Sequence, residues 1–168
     1  MHIGALDWAK SAAPGNAMST PNDPIRLFVA HNWQENDDLH RVFEYLESSR
    51  NFHYKSTTQV QAARPVGSEA EREDLRRQIA PAEVVIVLPA TYRLESDIVM
   101  FQLNFAKSAN RPIIAMENFG SSQALPKAIV ELADEVCPWN ERSLVDALKR
   151  QARHEDTQRW DSIEFKID

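Results

Sequence analysis

The run Val84-Val85-Ile86-Val87-Leu88 decides the fold. Its side chains are all apolar and mostly β-branched, which leaves no face for water. Such a segment suits a strand covered on both sides, in the middle of a parallel sheet. Towards the N-terminus, Ile25-Arg26-Leu27-Phe28-Val29-Ala30 has the same short, mostly apolar character. Towards the C-terminus, Pro112-Ile113-Ile114-Ala115-Met116 and Glu135-Val136-Cys137 follow. Phe52-His53-Tyr54-Lys55 is a weaker strand suited to an edge.

Helices fill the gaps. Leu39, Val42, Phe43 and Leu46 have the i, i+3, i+4, i+7 spacing of a single buried stripe, with Asp37 and Asp38 placed to cap the first turn. Ser68 and Glu71 have the spacing of a capping box, opening a helix through Leu75 and Ile79. Further helices are predicted over 96–108 and near 126–133, and Leu144, Val145 and Leu148 mark a long last one. Alternating strands and helices call for a parallel sheet with helices on both faces. The predicted fold is α/β: a flavodoxin-like, doubly wound, parallel five-stranded sheet in the order 2-1-3-4-5. The alternation in Ser162-Ile163-Glu164-Phe165-Lys166-Ile167 suits an extra C-terminal edge strand. Residues 1–24 read as a loosely held N-terminal extension, 25–152 as the domain and 153–168 as a tail packing on it. Met18 offers an alternative start.

With 168 residues, 43% of them hydrophobic, the chain fits one domain with a sizeable core. A net charge of -6 argues against a sequence-independent nucleic-acid binder, which needs a basic stripe. It leaves room for a nucleotide ligand held by a few local cations and backbone amides. The single cysteine, Cys137, forbids an internal disulfide and reads as a packing residue in a buried strand. No apolar run approaches the ~20 residues that span a bilayer, and no secretory signal opens the chain. The expected location is the cytoplasm.

In a sheet of this order the ligand crevice lies beyond the carboxyl ends of the strands, where the winding reverses. Two loops meet there: His31-Asn32-Trp33-Gln34 after the first strand and Pro89-Ala90-Thr91-Tyr92 after the third. Their aromatic and hydrogen-bonding groups suit a base and a ribose. Equally, Trp33 and Tyr92 could simply roof the sheet while Asn32 makes a turn. Other users of the fold are excluded by what is missing. Ala30-His31 stands where a receiver domain needs an acidic pair, and no Gly-rich phosphate loop follows the first strand. His2, His31, His40, His53 and His154 show no metal-ligand spacing, so no metal is expected. A serine hydrolase would need a nucleophile elbow, which is absent.

Several pieces recur in a recognisable order: Leu27-Phe28-Val29-Ala30-His31, Leu75-Arg76-Arg77-Gln78-Ile79 and Val84 to Leu88. The strongest is Arg111-Pro112-Ile113-Ile114-Ala115-Met116, followed by Gly120, Pro126, Ala133-Asp134-Glu135-Val136, Trp139-Asn140 and Ser143-Leu144-Val145. From Ile25 to about Ala152 the chain resembles the small prokaryotic TIR-like domains related to the signal-making subunits of Thoeris anti-phage systems. The resemblance implies a flavodoxin-like TIR fold. In active members it also implies cleavage of the nicotinamide–ribose bond of NAD. That reaction yields an ADP-ribose-type signal for an effector, or depletes NAD. NAD is then a consumed substrate, and no cofactor is needed.

The same resemblance assigns the site. The family pattern runs Tyr, Ser, Trp two residues on, Glu four further, then Ala. Tyr92, Ser96 and Ala106 match, Ile98 replaces the Trp, and Gln102 stands at the catalytic Glu position. His31, Asn32, Trp33, Tyr92, Ser96 and Ile98 would line the substrate pocket. A carboxylate offsets charge on an oxocarbenium-like ribose. At ~4 Å and an effective dielectric near ~20 this attraction is about 4 kcal/mol, on the order of a thousandfold in rate. Glutamine keeps the shape without the charge, so the chain should bind NAD and barely turn it over. Three readings stay open: a disabled or substrate-trapping variant, a natural binder, and an enzyme using another residue. Glu95 is the nearest spare carboxylate, though helix capping suits it too. Glu71 and Asp74 sit in an acidic run that reads as a solvated face. The opposing class is a non-catalytic adaptor or nucleotide sensor acting through protein assembly, with the loop Gln59 to Gly67 mediating contacts; a homo-oligomer is expected on either reading.

Overall fold

The structure, a computed structural model, describes residues 18–157. Its elements are β1 (Ile25–Val29), α1 (Asp37–Ser48), β2 (Tyr54–Ser56), α2 (Ser68–Ile79), β3 (Val84–Val87), α3 (Pro89–Leu94), α4 (Ser96–Ser108), β4 (Ile113–Met116), α5 (Lys127–Leu132), β5 (Glu135–Cys137) and α6 (Glu141–Arg153). All pairings within the sheet are parallel, and its order is β2-β1-β3-β4-β5. This is the flavodoxin-like, doubly wound arrangement that the apolar runs call for. The edge strand expected over 162–167 lies outside the described residues.

Strand alternation divides the core in two. Leu27, Val29, Val84, Ile86, Ile114 and Met116 face the layer holding α1 and α6, where Leu39, Val42, Leu46, Leu144 and Leu148 meet them. Phe28, Ala30, Val85, Val87, Ile113 and Ala115 face α2, α4 and α5, meeting Leu75, Ile79, Val99, Leu103 and Ile129. β3 is buried along its whole length, as its unbroken apolar run requires. Truncating a side chain such as Ile86 to alanine removes ~2–5 kcal/mol, through lost burial and the cavity left behind.

Local chemistry sets the element boundaries, and it differs from the sequence expectation at three places. Asn36, rather than Asp37 or Asp38, caps α1: its Oδ1 accepts from Leu39 N at 2.8 Å, and the two aspartates follow in the first turn. The capping box of Ser68 and Glu71 does not form. The N-cap of α2 is Gly67 at φ 100°, no side chain caps it, and the Glu71 carboxylate accepts instead from Arg64 Nε at 2.6 Å. The segment 89–94, read as a loop, is the short helix α3, with Pro89 in its first turn, where a fixed φ and a missing N–H cost nothing. Tyr92 therefore projects from a helix.

Residues 18–24 lie against the domain. Ser19 Oγ accepts from His53 N, and Arg153, at the end of α6, donates to Met18 O, Asp23 and Pro24 O. Arg153 also pairs with Glu83, whose carboxyl has its pKa raised by burial and lowered more strongly by Arg153 and the Arg26 backbone amide; the net shift is downward.

Candidate functional site

The carboxyl ends of β1 and β3 meet at the turn where the winding reverses, and the loops there are tied together by side chains. Gln102, from the inner face of α4, reaches the end of β1. Its Oε1 accepts from His31 N at 3.0 Å, and its Nε2 donates to His31 O at 2.8 Å and Ile98 O at 2.9 Å. It is 0% exposed and borders none of the cavities described below. This environment asks for an amide: one acceptor for an N–H, and donors for two carbonyls. A carboxylate would satisfy the first and set a negative charge against both oxygens.

His31 continues the network. Its Nδ1 accepts from Trp33 N at 3.0 Å, so Nε2 carries the proton and donates to Gln78 Oε1 at 2.9 Å. Burial lowers the His31 pKa, while Gln78 and the Asp74 charge raise it; the net shift is downward. The imidazole is therefore neutral at physiological pH. Gln78 Oε1 also accepts from Gln59 N, and Gln78 Nε2 donates to Asp74 Oδ2. Asp74 accepts from Trp33 Nε1 at 2.9 Å as well. Burial raises the Asp74 carboxyl, but hydrogen bonds from Trp33, Arg77 and Gln78 outweigh it, so the group stays ionised. These bonds hold Trp33 at φ 60°, a left-handed conformation that costs a bulky residue ~1–2 kcal/mol.

Two further ties close the crevice. Asn36 Nδ2 donates to Thr91 Oγ1 at 3.2 Å, joining the loop after β1 to α3. Arg64, in the segment between β2 and α2, pairs with Glu95 and Glu71 and lays its guanidinium 4.8 Å from the Trp33 ring centre. Arg64 is the main reason the Glu95 carboxyl is held below its ordinary value, against opposing burial and with help from Asn32. Glu95 is the N-cap residue of α4, as capping would place it, but its side chain makes no cap hydrogen bond. Asn32 is buried, and its Oδ1 has no hydrogen-bond partner among the described residues.

His31, Asn32, Trp33 and Gln102 thus meet at the end of β1. Tyr92 is half-buried against the second core layer, Ile98 is itself a member of that layer, and Ser96 is exposed at the start of α4. No hydrogen bond among the described residues joins the Tyr92 or Ser96 side chain to Gln102. Sequence reasoning missed Asp74, Gln78 and Arg64. Asp74 is not part of a solvated face: it is buried because it turns inward with Leu75, Gln78 and Ile79. It also missed a shallow cavity of about 330 Å³ on the outer side of the crevice, where Arg41, Arg93, Asn118 and Phe119 meet Asp37 and Asp38. There the Arg41 guanidinium lies 3.5 Å from the Phe119 ring centre, and Arg93 donates to Asn118. Cys137 is buried, and burial pushes its thiol up to about 12, which makes it a packing residue. Among the described residues no group of His, Cys, Asp and Glu could hold a metal ion, and no helix is long and apolar enough to cross a membrane.

No protein-family description matches the chain. No curated protein matches it either. Among solved structures it is similar to a 3-dehydroquinate dehydratase-like protein from Bifidobacterium longum, with 13% identity and a TM-score of 0.42, covering 77% of this chain and 94% of that one. Likeness at that level carries nothing about function.

Proposed function

We propose that this chain is a TIR-like signalling module of bacterial anti-phage immunity that recognises NAD or a nucleotide derived from it without cleaving it. One observation carries the reading: the Gln102 amide is wholly engaged by His31 and Ile98, and it is sealed from solvent. A residue so engaged cannot face a reacting ribose. Recognition falls instead to the outer cavity, whose volume is near the lower end of the ~300–1,000 Å³ usual for ligand sites. A nucleotide fragment fits there better than a whole dinucleotide. Arg93 supplies a phosphate partner, and Arg41, held by Asp38 at 2.7 Å and lying over the Phe119 ring, forms the wall beside it.

The test is calorimetric titration of ADP-ribose and NAD, alongside an NAD-consumption assay, on the natural chain and on Arg93→Ala and Gln102→Glu. The expected result is binding that weakens at least tenfold in Arg93→Ala and negligible turnover in all three proteins. A hundredfold gain in turnover for Gln102→Glu would sink the proposal.

A second reading has one observation in its favour. Glu95 is ionised at the crevice mouth, next to Ser96, and Asn32 beside it has an oxygen without a partner among the described residues. An NAD-cleaving enzyme could use this carboxylate once Arg64 leaves it. That reading expects Arg64→Ala to consume NAD and the double variant Arg64→Ala/Glu95→Gln to be inert; no turnover in Arg64→Ala rules it out.

A further inference from the structure

Away from the switch point, a second cavity opens between α1 and the chain leaving β2, about 720 Å³ in volume. Its floor is apolar: Leu39 and Val60 are buried members of the first core layer, and Phe43 packs partly buried against it. Its rim is acidic, with Glu35, Glu44 and Glu47, and neither lysine nor arginine is among the residues lining it. The one basic group is His40, whose Nε2 lies 2.6 Å from Glu35 Oε1. Glu35 also accepts from Gln61 Nε2, and Glu47 from the Tyr54 hydroxyl. The Glu44 carboxylate, exposed on the next turn of α1, makes no hydrogen bond or ion pair among the described residues.

We propose that this groove binds an organic cation: a molecule with an apolar, ring-bearing body and a protonated amine. The volume is that of a small-molecule site. Ring burial over Leu39, Phe43 and Val60 supplies the attraction, and the carboxylates fix the sign of the charge. A phosphate-bearing nucleotide is repelled by the same rim, so this site is distinct from the nucleotide proposal and stands or falls separately. Glu44 is the residue placed to meet the ammonium, because Glu35 and Glu47 already have donors.

The experiment uses two probes with the same ring and opposite charge, tryptamine and indole-3-propionate, titrated by calorimetry into the whole chain at low and high salt. Tryptamine should bind at least tenfold tighter than indole-3-propionate and weaken as salt rises. Glu44→Gln, a change at an exposed helix position, should reduce tryptamine affinity at least fivefold with an unchanged melting temperature. Phe43→Ala should reduce it for lack of a floor. Equal binding of the two probes, tryptamine affinity indifferent to Glu44→Gln, or no tryptamine binding up to millimolar concentration would each overturn the proposal. Binding of a basic peptide without tryptamine binding overturns it as well, in favour of a protein partner.

Discussion

The end of β1 and the groove beside β2 lie at the same edge of one sheet and are built in opposite ways. At the end of β1, buried polar groups are matched to one another from Gln102 through His31 and Gln78 to Asp74 and Trp33, and Arg64 covers them. Beside β2, apolar side chains floor an open groove, and the Glu44 carboxylate has no partner among the described residues. The first arrangement is what a fold uses to fix a backbone turn. A buried network gives rigidity where its members are satisfied, as they are in this one; the Asn32 Oδ1 beside it is left without a partner among the described residues. The second is what a fold leaves for a ligand. A residue that a sequence resemblance puts at a catalytic position can therefore be structural, while the proposed binding groove lies one loop away.

The contrast can be broken most forcefully at Gln102. Gln102→Met keeps the volume but strands the buried N–H and C=O of His31, and should lower stability by about 2–4 kcal/mol in urea denaturation. Asp74→Ala comes next, at about 1–3 kcal/mol, because Trp33 Nε1 and Gln78 Nε2 lose a common acceptor. Its loss should also show as altered Trp33 fluorescence. An undiminished midpoint in either variant would mean that the network is not holding the turn.

Acid should sharpen the same contrast. The folded His31 binds its proton less readily than the unfolded chain, whose histidine value is near 6.5. Between that value and the lower folded one the unfolded state holds more protons, so stability falls as pH drops below about 6.5, at up to ~1.4 kcal/mol per pH unit. Above 6.5 this contribution is complete. His31→Asn should flatten that part of the pH–stability curve; an unchanged slope would show that some other group sets it. The smallest effect belongs to Arg64→Ala. Its ion pairs are partly exposed, at 35% for the arginine side chain, and are worth ~0–1 kcal/mol. Hydrogen exchange at Asn32 and Trp33 should nevertheless quicken once the cover is gone, and no change would mean that Arg64 shields nothing.

Much of the fold was legible because it rests on burial. The run at Val84 permits only a central strand, and the stripe from Leu39 to Leu46 permits only one helix face. The short helix α3 was not legible, since Pro89 to Leu94 makes less than two turns and shows no apolar period. The capping box failed because Arg64, in the preceding loop, took its glutamate, a contact set by the loop's conformation and not by helical spacing. At the site, the inward position of Gln102 was readable: it falls on the face of Val99, Leu103 and Ala106. Its main partners were not, because beyond Ile98 O on its own helix they are the backbone N–H and C=O of His31, 71 positions away. Asp74 carried a fainter signal, an i, i+4 pair with Gln78 beside Leu75 and Ile79, masked by the acidic run before it.

Gln102→Glu gives the most direct measurement: urea denaturation between pH 5 and 8, with NAD consumption followed on the same preparation. A glutamate there faces two carbonyls, so its carboxyl is pushed up. It should cost about 3–5 kcal/mol at pH 8, less towards pH 5 as the carboxyl takes a proton and becomes a donor, with no NAD consumed at any pH. A variant as stable as the natural chain at pH 8, and turning over NAD, would contradict a purely structural role for this residue.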